Sequence, residues 1–192
     1  MPIQHTNRRG KTFYLHRGRT KKGNPKYTFA MSQEGDLIEQ IPDGYEIYET
    51  PNAQVFLRRV QSKIIHDSEK AVVEKHLKKL KGSLHYLCEV KGNMIMVFES
   101  VEDVKMIEET FRRFPLEGKK DIQEMVDSVI RFTPAMRFIL SDEEERSFTV
   151  ERKIVFFGLT EDWEFLDGPG ELEVLAGKYL EHLANDSFYE LF

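Results

Sequence analysis

Residues 84–99 have the sequence Leu-His-Tyr-Leu-Cys-Glu-Val-Lys-Gly-Asn-Met-Ile-Met-Val-Phe-Glu, and this stretch decides the fold class. Gly92 and Asn93 readily adopt the positive φ angles of a two-residue hairpin turn. Apolar residues are frequent on both sides of the turn, and successive side chains of a strand point to opposite faces. A two-residue loop pairs Lys91 with Met94. The face expected to be buried then carries Tyr86, Cys88, Val90, Ile95 and Val97.

Helical periodicity is present on both sides of this hairpin. A first apolar stripe, residues 73–80, begins after Asp67 and ends before Gly82. Residues 100–103 resemble a capping box, in which two side chains accept hydrogen bonds at the start of a helix. The pattern continues with a helix stripe at 122–130, strands at 136–140 and 148–157, and a helix from residue 172. The apolar pattern therefore predicts the order helix–strand–strand–helix twice, in residues 67–114 and again in residues 121–184. A duplicated unit would produce such a repeat.

The first 61 residues have a different pattern, in which short apolar stretches alternate with turn residues. Proline fixes φ and glycine tolerates positive φ, so these turn signals have a physical basis. They lie between strands predicted at residues 12–16, 26–31, 37–41, 45–49 and 54–60. We predict an α+β protein with a largely antiparallel sheet and helices covering one face. A basic, β-rich portion, residues 1–61, precedes an α+β body, residues 62–192.

The composition of the 192-residue chain limits the classes of protein to consider. Hydrophobic residues make up 40% of the chain, which is enough for a packed core. The longest apolar run, residues 94–98, is far shorter than the roughly 18 residues of a membrane-spanning helix. Because the first residues lack the apolar segment of a secretory signal, we expect a cytoplasmic protein without membrane contact. The single cysteine, Cys88, excludes an intramolecular disulfide and a cysteine-based zinc site, and no cofactor or metal is predicted.

Two stretches carry a resemblance to known sequences. One runs from Phe13 through Ile-Pro-Asp-Gly-Tyr-Glu-Ile-Tyr-Glu at residues 41–49 to Arg59, and the other begins Leu-Asp-Gly-Pro-Gly-Glu-Leu at residues 166–172. Together they resemble a family of uncharacterised microbial proteins. The resemblance implies that most of the chain is one native unit. It implies no activity, because that family has no established function, and it assigns no functional residue.

Charge is distributed unevenly along the chain, although the net charge is only −5. Residues 1–33 contain eight Lys and Arg residues and no acidic residue, whereas residues 141–192 contain four basic and 14 acidic residues. Such asymmetry favours an anionic partner for the basic end. Five cations lie in or beside the predicted turn between the first two strands, and these are Arg17, Arg19, Lys21, Lys22 and Lys26.

This basic hairpin is the best candidate for a functional site. Tyr14, Tyr27 and Phe29 lie nearby in the sequence, and cations interleaved with aromatic residues suit phosphate contact combined with base stacking. No RNP, KH, zinc-finger or helix-turn-helix motif accompanies the hairpin. We predict a non-enzymatic binding or interaction protein that contacts nucleic acid or an acidic protein surface through these cations. A solvated turn whose lysines favour solubility is the competing interpretation.

The alternative from another class is a metal-dependent hydrolase or nuclease. Glu89 and Lys91 match the short acid-x-Lys signature of metal-dependent nucleases, and a strand places both side chains on one face. A nuclease also needs another metal-binding acid, for which Asp67 is a candidate. The competing interpretation of Glu89 and Lys91 is an exposed cross-strand ion pair.

Two further expectations concern individual side chains. Cys88, on the apolar face of the hairpin, is expected to be an inert buried thiol. The C-terminal Phe188, Leu191 and Phe192 are too apolar for a free tail, so we expect residues 185–192 to dock on the body.

Overall fold

The computed structural model of the protein describes residues 1–81, 85–113, 121–156 and 160–185. Within these residues, four α-helices and ten strands in three antiparallel sheets confirm the predicted α+β class. The chain divides into two units. The first consists of Met1–Gln61 and Thr110–Ile130, and the second of Ser62–Glu109 and Arg131–Phe192. The predicted division into domains of residues 1–61 and 62–192 stays a prediction.

In chain order the elements are β1 (Gln4–Thr6), β2 (Thr12–Arg19), β3 (Pro25–Ala30), β4 (Tyr45–Glu49), β5 (Val55–Arg59), α1 (Asp67–Leu77), β6 (Tyr86–Lys91), β7 (Met94–Ser100), α2 (Val104–Arg113), α3 (Ile122–Val129), β8 (Phe132–Asp142), β9 (Ser147–Phe156), β10 (Thr160–Glu171) and α4 (Leu172–Tyr179), which continues as a short 3-10 helix, Leu180–Ala184.

The first unit contains a three-stranded sheet of order β1-β2-β3 and a separate hairpin of β4 and β5. β2 is the central strand, and its Leu15 side chain is completely buried. The prediction of a strand at residues 37–41 is wrong, because this segment makes only one bridge, between Leu37 and His16. β1 already pairs with residues 12–14 of β2. Only a short part of this edge of β2 is therefore left to pair with residues 37–41.

The second unit is built on a five-stranded sheet of order β10-β9-β8-β7-β6. α1, α4 and the 3-10 helix pack their apolar residues on one face of this sheet, as predicted. The side chains that this packing buries completely include Phe138, Phe148, Ile95, Val97 and Leu180. Burial of this many large apolar side chains in one cluster supplies the main force that holds the helices on the sheet.

The β6–β7 hairpin confirms the register predicted from the sequence. Lys91 pairs with Met94, Cys88 pairs with Val97, and Gly92 has a φ of +62°. Ile95 and Val97 are completely buried, and Tyr86, Cys88 and Val90 pack against the same core. Burial, followed by the neighbouring Glu74 carboxylate, raises the pKa of the Cys88 thiol to about 12. Cys88 is half-buried and not fully buried as predicted, and the raised pKa of its thiol supports the predicted low reactivity.

Two local predictions in the second unit need correction. Asp103, and not a capping box spanning residues 100–103, caps α2, because its Oδ1 accepts a hydrogen bond from the Met106 N–H at 3.0 Å. The Ser100 hydroxyl instead donates to the Glu102 carbonyl. A whole strand, β10, lies between β9 and α4, where no strand was predicted, so the order helix–strand–strand–helix predicted for residues 121–184 is wrong.

Some predictions fall outside the described residues. The predicted docking of Phe188, Leu191 and Phe192 belongs to this group. Among the residues that the structure describes, no helix combines the length and the apolar character needed to cross a membrane.

Candidate functional site

The loop between β2 and β3 presents two lysines at its outermost positions. The Thr20 N–H donates to the Asn24 carbonyl at 2.8 Å, and the Gly23 N–H donates to the Thr20 carbonyl at 2.9 Å. Gly23 has a φ of +82°, so the loop is a tight turn followed by one residue in the left-handed region. The Thr20 hydroxyl also accepts from the Asn24 N–H at 3.1 Å. These bonds fix the backbone and leave Lys21 and Lys22 exposed.

The strand register distributes the other cations over two faces. In the register of β2 and β3, Arg17 lies opposite Tyr27, Gly18 opposite Lys26, and Arg19 opposite Pro25. Successive side chains of a strand point to opposite faces. Arg17 and Arg19 therefore lie on one face of the ribbon, and Lys26 lies on the other.

Only one of the five predicted cations is paired in the described part of the chain. The Arg17 Nε donates to the Asp36 carboxylate at 3.0 Å, with about half of each side chain exposed. Arg19, Lys21, Lys22 and Lys26 are exposed and form no ion pair with a described residue. Beside them lies an open depression of about 570 Å³, lined by Arg17, Gly18, Arg19, Gly23, Pro25 and Asp36. The tip thus offers four available positive charges.

The aromatic residues expected to stack on bases lie in the body of the unit. The Tyr27 ring packs edge-to-face on Tyr45, with 6.0 Å between ring centroids. Tyr14 is half-buried, and its hydroxyl accepts a hydrogen bond from Gln33. Phe29 pairs with the buried Leu15. Residues 18–26, at the tip, contain no aromatic residue, so the tip is suited to phosphate contact and not to base stacking.

A second loop with the same geometry provides an internal comparison. In the β1–β2 hairpin, the Asn7 N–H donates to the Lys11 carbonyl at 2.9 Å, and the Gly10 N–H donates to the Asn7 carbonyl at 2.8 Å. Gly10 has a φ of +70°. Here the outermost residues are Arg8 and Arg9, so both loops present a pair of cations followed by glycine.

This second loop contacts other parts of the first unit. The Arg9 guanidinium donates to the carbonyl of Ile130, at the end of α3. The backbone N–H of Arg8 donates to the Glu49 carboxylate at 3.0 Å, and burial lowers the pKa of the Arg8 guanidinium. The buried Asn7 amide donates to the Ala53 carbonyl at 2.7 Å and ties this hairpin to the β4–β5 hairpin. Arg9 therefore serves the fold through its side chain and Arg8 through its backbone, whereas Lys21 and Lys22 make no comparable contact in the described residues.

The same loop closes the β4–β5 hairpin with uncharged outer residues. The Thr50 N–H donates to the Gln54 carbonyl and the Ala53 N–H donates to the Thr50 carbonyl, both at 2.9 Å. Ala53 takes the left-handed position with a φ of +60°. The outermost residues are Pro51 and Asn52.

The residues of the alternative nuclease hypothesis are only partly brought together. Glu89 and Lys91 lie on the same face of β6, opposite Met96 and Met94. Asp67 lies at the start of α1, and the hydrogen bond from Lys63, at 2.6 Å, lowers the pKa of its carboxyl. The described ranges contain no group of three or more His, Cys, Asp or Glu side chains that could hold a metal ion.

Sequence reasoning found the cations of the tip but missed the residue that neutralises one of them. Asp36 follows Arg17 by 19 residues in a segment without regular structure, and no periodic pattern links the two. Comparison of the chain with protein-family models, with curated proteins and with solved structures finds no match.

Proposed function

We propose that the protein is a non-enzymatic nucleic-acid-binding protein that holds phosphate groups with the tip of the β2–β3 hairpin. The observation that carries this proposal is the set of four exposed cations that pair with no described acid: Arg19, Lys21, Lys22 and Lys26. Phosphates bound by such cations release condensed counterions, which makes binding favourable and dependent on salt.

The contrast between the two dibasic loops supports the proposal. Both loops have the same backbone hydrogen bonds, but in the first loop the Arg9 guanidinium and the backbone N–H of Arg8 also contact groups of their own unit. The backbone around Lys21 and Lys22 is equally well fixed, although their side chains add nothing to the described fold. A rigid backbone that presents unpaired cations loses little entropy on binding an anion.

The salt dependence of binding tests the proposal. We expect micromolar or tighter binding of a fluorescein-labelled nucleic acid at about 50 mM salt, measured by fluorescence anisotropy. If the four tip cations contact phosphates of double-stranded DNA, log K should fall against log salt with a slope of about −3.6. Absence of binding to both single- and double-stranded probes would contradict the proposal and would favour an acidic protein surface as the partner.

A charge-reversed variant tests the location of the site. Arg19→Glu, Lys21→Glu and Lys22→Glu together should abolish binding and leave the circular dichroism spectrum unchanged, because these side chains are exposed. The matched control reverses three other exposed lysines, Lys78, Lys79 and Lys81, which produces the same change in net charge. Equal losses of affinity in the two variants would show that net charge, and not the hairpin, governs binding.

The same samples test the alternative enzymatic activity. Incubation of DNA or RNA with the protein and Mg²⁺ should leave the nucleic acid intact on a gel. Cleavage that Glu89→Ala abolishes would replace the binding proposal with a metal-dependent nuclease.

A further inference from the structure

The tip of the β2–β3 hairpin extends beyond the segments that support the rest of β2. β1 pairs with β2 only as far as Tyr14, and the segment at residues 36–38 bonds to β2 only as far as Arg17. Beyond Arg17, β2 pairs with β3 alone. Three further residue pairs precede the loop, at about 3.3 Å each, so the free ribbon is about 10 Å long.

The cations of this free ribbon surround it. Arg19 lies on one face, Lys26 on the other, and Lys21 and Lys22 at the end. A partner that lies flat against one face would leave either Arg19 or Lys26 without an anion. The distribution therefore fits a partner that places phosphates on both sides of the ribbon.

The dimensions of nucleic acids distinguish the candidate partners. The major groove of B-form DNA is about 12 Å wide and about 8.5 Å deep, and it admits a two-stranded ribbon, whereas the minor groove is only about 6 Å wide. The major groove of A-form RNA is too narrow and deep for side chains to reach its bases. Single strands are held largely by stacking on aromatic rings, and residues 18–26 contain none.

We propose, on the basis of the function proposed above, that residues 18–26 insert into the major groove of double-stranded DNA. Arg19 and Lys26 then face the phosphates of opposite groove walls, and Lys21 and Lys22 enter first. Asp36 pairs with Arg17 at the base of the ribbon and neutralises its charge. Phosphate contact is therefore assigned to the part of the hairpin beyond Arg17.

Three probes of one sequence test the inference by fluorescence anisotropy at about 100 mM salt. These are a 20-base-pair DNA duplex, the corresponding RNA duplex and one DNA strand. We expect the DNA duplex to bind at least tenfold more tightly than the other two. Bulky groups on the pyrimidine C5 atoms, which project into the major groove, should weaken binding, whereas a minor-groove ligand should not compete. Equal affinity for the three probes would overturn the groove inference and leave the proposed function intact, and binding to none would overturn the proposed function itself.

Two single variants test whether both faces of the ribbon are used. Arg19→Gln and Lys26→Gln should each reduce the magnitude of the slope of log K against log salt by about 0.9, because each removes one phosphate contact. Lys11→Gln is the matched control, since Lys11 is exposed but lies at the opposite end of β2. A smaller salt slope in Arg19→Gln but not in Lys26→Gln would show that only one face of the ribbon binds, and it would overturn insertion.

Discussion

Gly168 shows at the scale of one residue how closely β10 approaches its neighbour. Its φ is +115°, and a Cβ atom added there would lie 2.6 Å from the Phe148 carbonyl oxygen and 2.8 Å from the Thr149 Cα. Both contacts are with backbone atoms, which cannot rotate away. We expect Gly168→Ala to lower the free energy of unfolding by about 2–4 kcal/mol, as measured by urea denaturation.

A second glycine separates the steric effect from the effect of φ. Gly92 has a φ of +62°, but a Cβ added there would meet no atom within 4 Å. Gly92→Ala should therefore lower the free energy of unfolding by only about 1 kcal/mol. Similar small losses in both variants would show that β9 and β10 separate easily at Gly168.

At the scale of elements, Asp167 joins β10 to α4. Its carboxylate accepts hydrogen bonds from Lys178 Nζ at 2.7 Å and from the Tyr179 hydroxyl at 2.8 Å. The bond from Lys178, followed by those from Tyr179 and the Gly168 N–H, lowers the pKa of Asp167 to about 2. A depressed pKa means that the charged form stabilises the folded state. This stabilisation is complete above about pH 4, where Asp ionises in the unfolded chain, and it is lost as the pH falls towards 2.

Asp167→Asn should therefore be less stable than the parent protein at pH 7, and the difference in urea midpoint should shrink between pH 4 and pH 2. Asp162→Asn is the control, because it removes the same charge from an exposed position of the same strand. A difference between Asp167→Asn and the parent that stays constant down to pH 2 would contradict the role assigned to the Asp167 carboxylate.

The same scale shows which elements can be predicted from the sequence. The β6–β7 hairpin was predictable in register because its two apolar segments and its Gly-Asn turn agree with each other. β10 was missed because its apolar alternation is weak and because Gly-Pro-Gly at residues 168–170 is typical of a turn. β1 was missed because three residues are too few for a periodic pattern.

The candidate site was predictable in composition but not in geometry. Charge counting located Arg19 and the two tip lysines in the sequence. The face that each cation occupies depends on where the loop closes, which the Thr20–Asn24 hydrogen bond decides. The engagement of the Arg9 guanidinium by the distant Ile130 carbonyl, in contrast to Lys21 and Lys22, follows from a tertiary contact that no local pattern encodes.

At the scale of the whole molecule, a net charge of −5 opposes the binding of nucleic acid by a basic tip. Near physiological salt the screening length is about 8 Å, so phosphates at the tip interact mainly with the tip cations. At about 10 mM salt the screening length reaches about 30 Å, and the acidic remainder of the protein also acts on the nucleic acid. We expect the plot of log K against log salt to flatten below about 20 mM.

Neutralising acids outside the hairpin tests this effect of salt. Glu143, Glu144 and Glu145 are exposed in the β8–β9 loop, and their replacement by glutamine should tighten binding more at about 10 mM salt than at about 150 mM, because screening is weaker at the lower concentration. The measurement is the same anisotropy titration. An equal gain in affinity at both salt concentrations would contradict screening as the cause.

The three matching hairpin loops of the first unit have a consequence for how such a protein diversifies. Their backbone is specified by a closing pair and one residue of positive φ, so the loop geometry itself does not dictate the side chains at the two outermost positions. These positions hold Arg8 and Arg9, Lys21 and Lys22, and Pro51 and Asn52. A lineage with this unit is therefore expected to gain or lose charge at these tips without a change in the loop backbone.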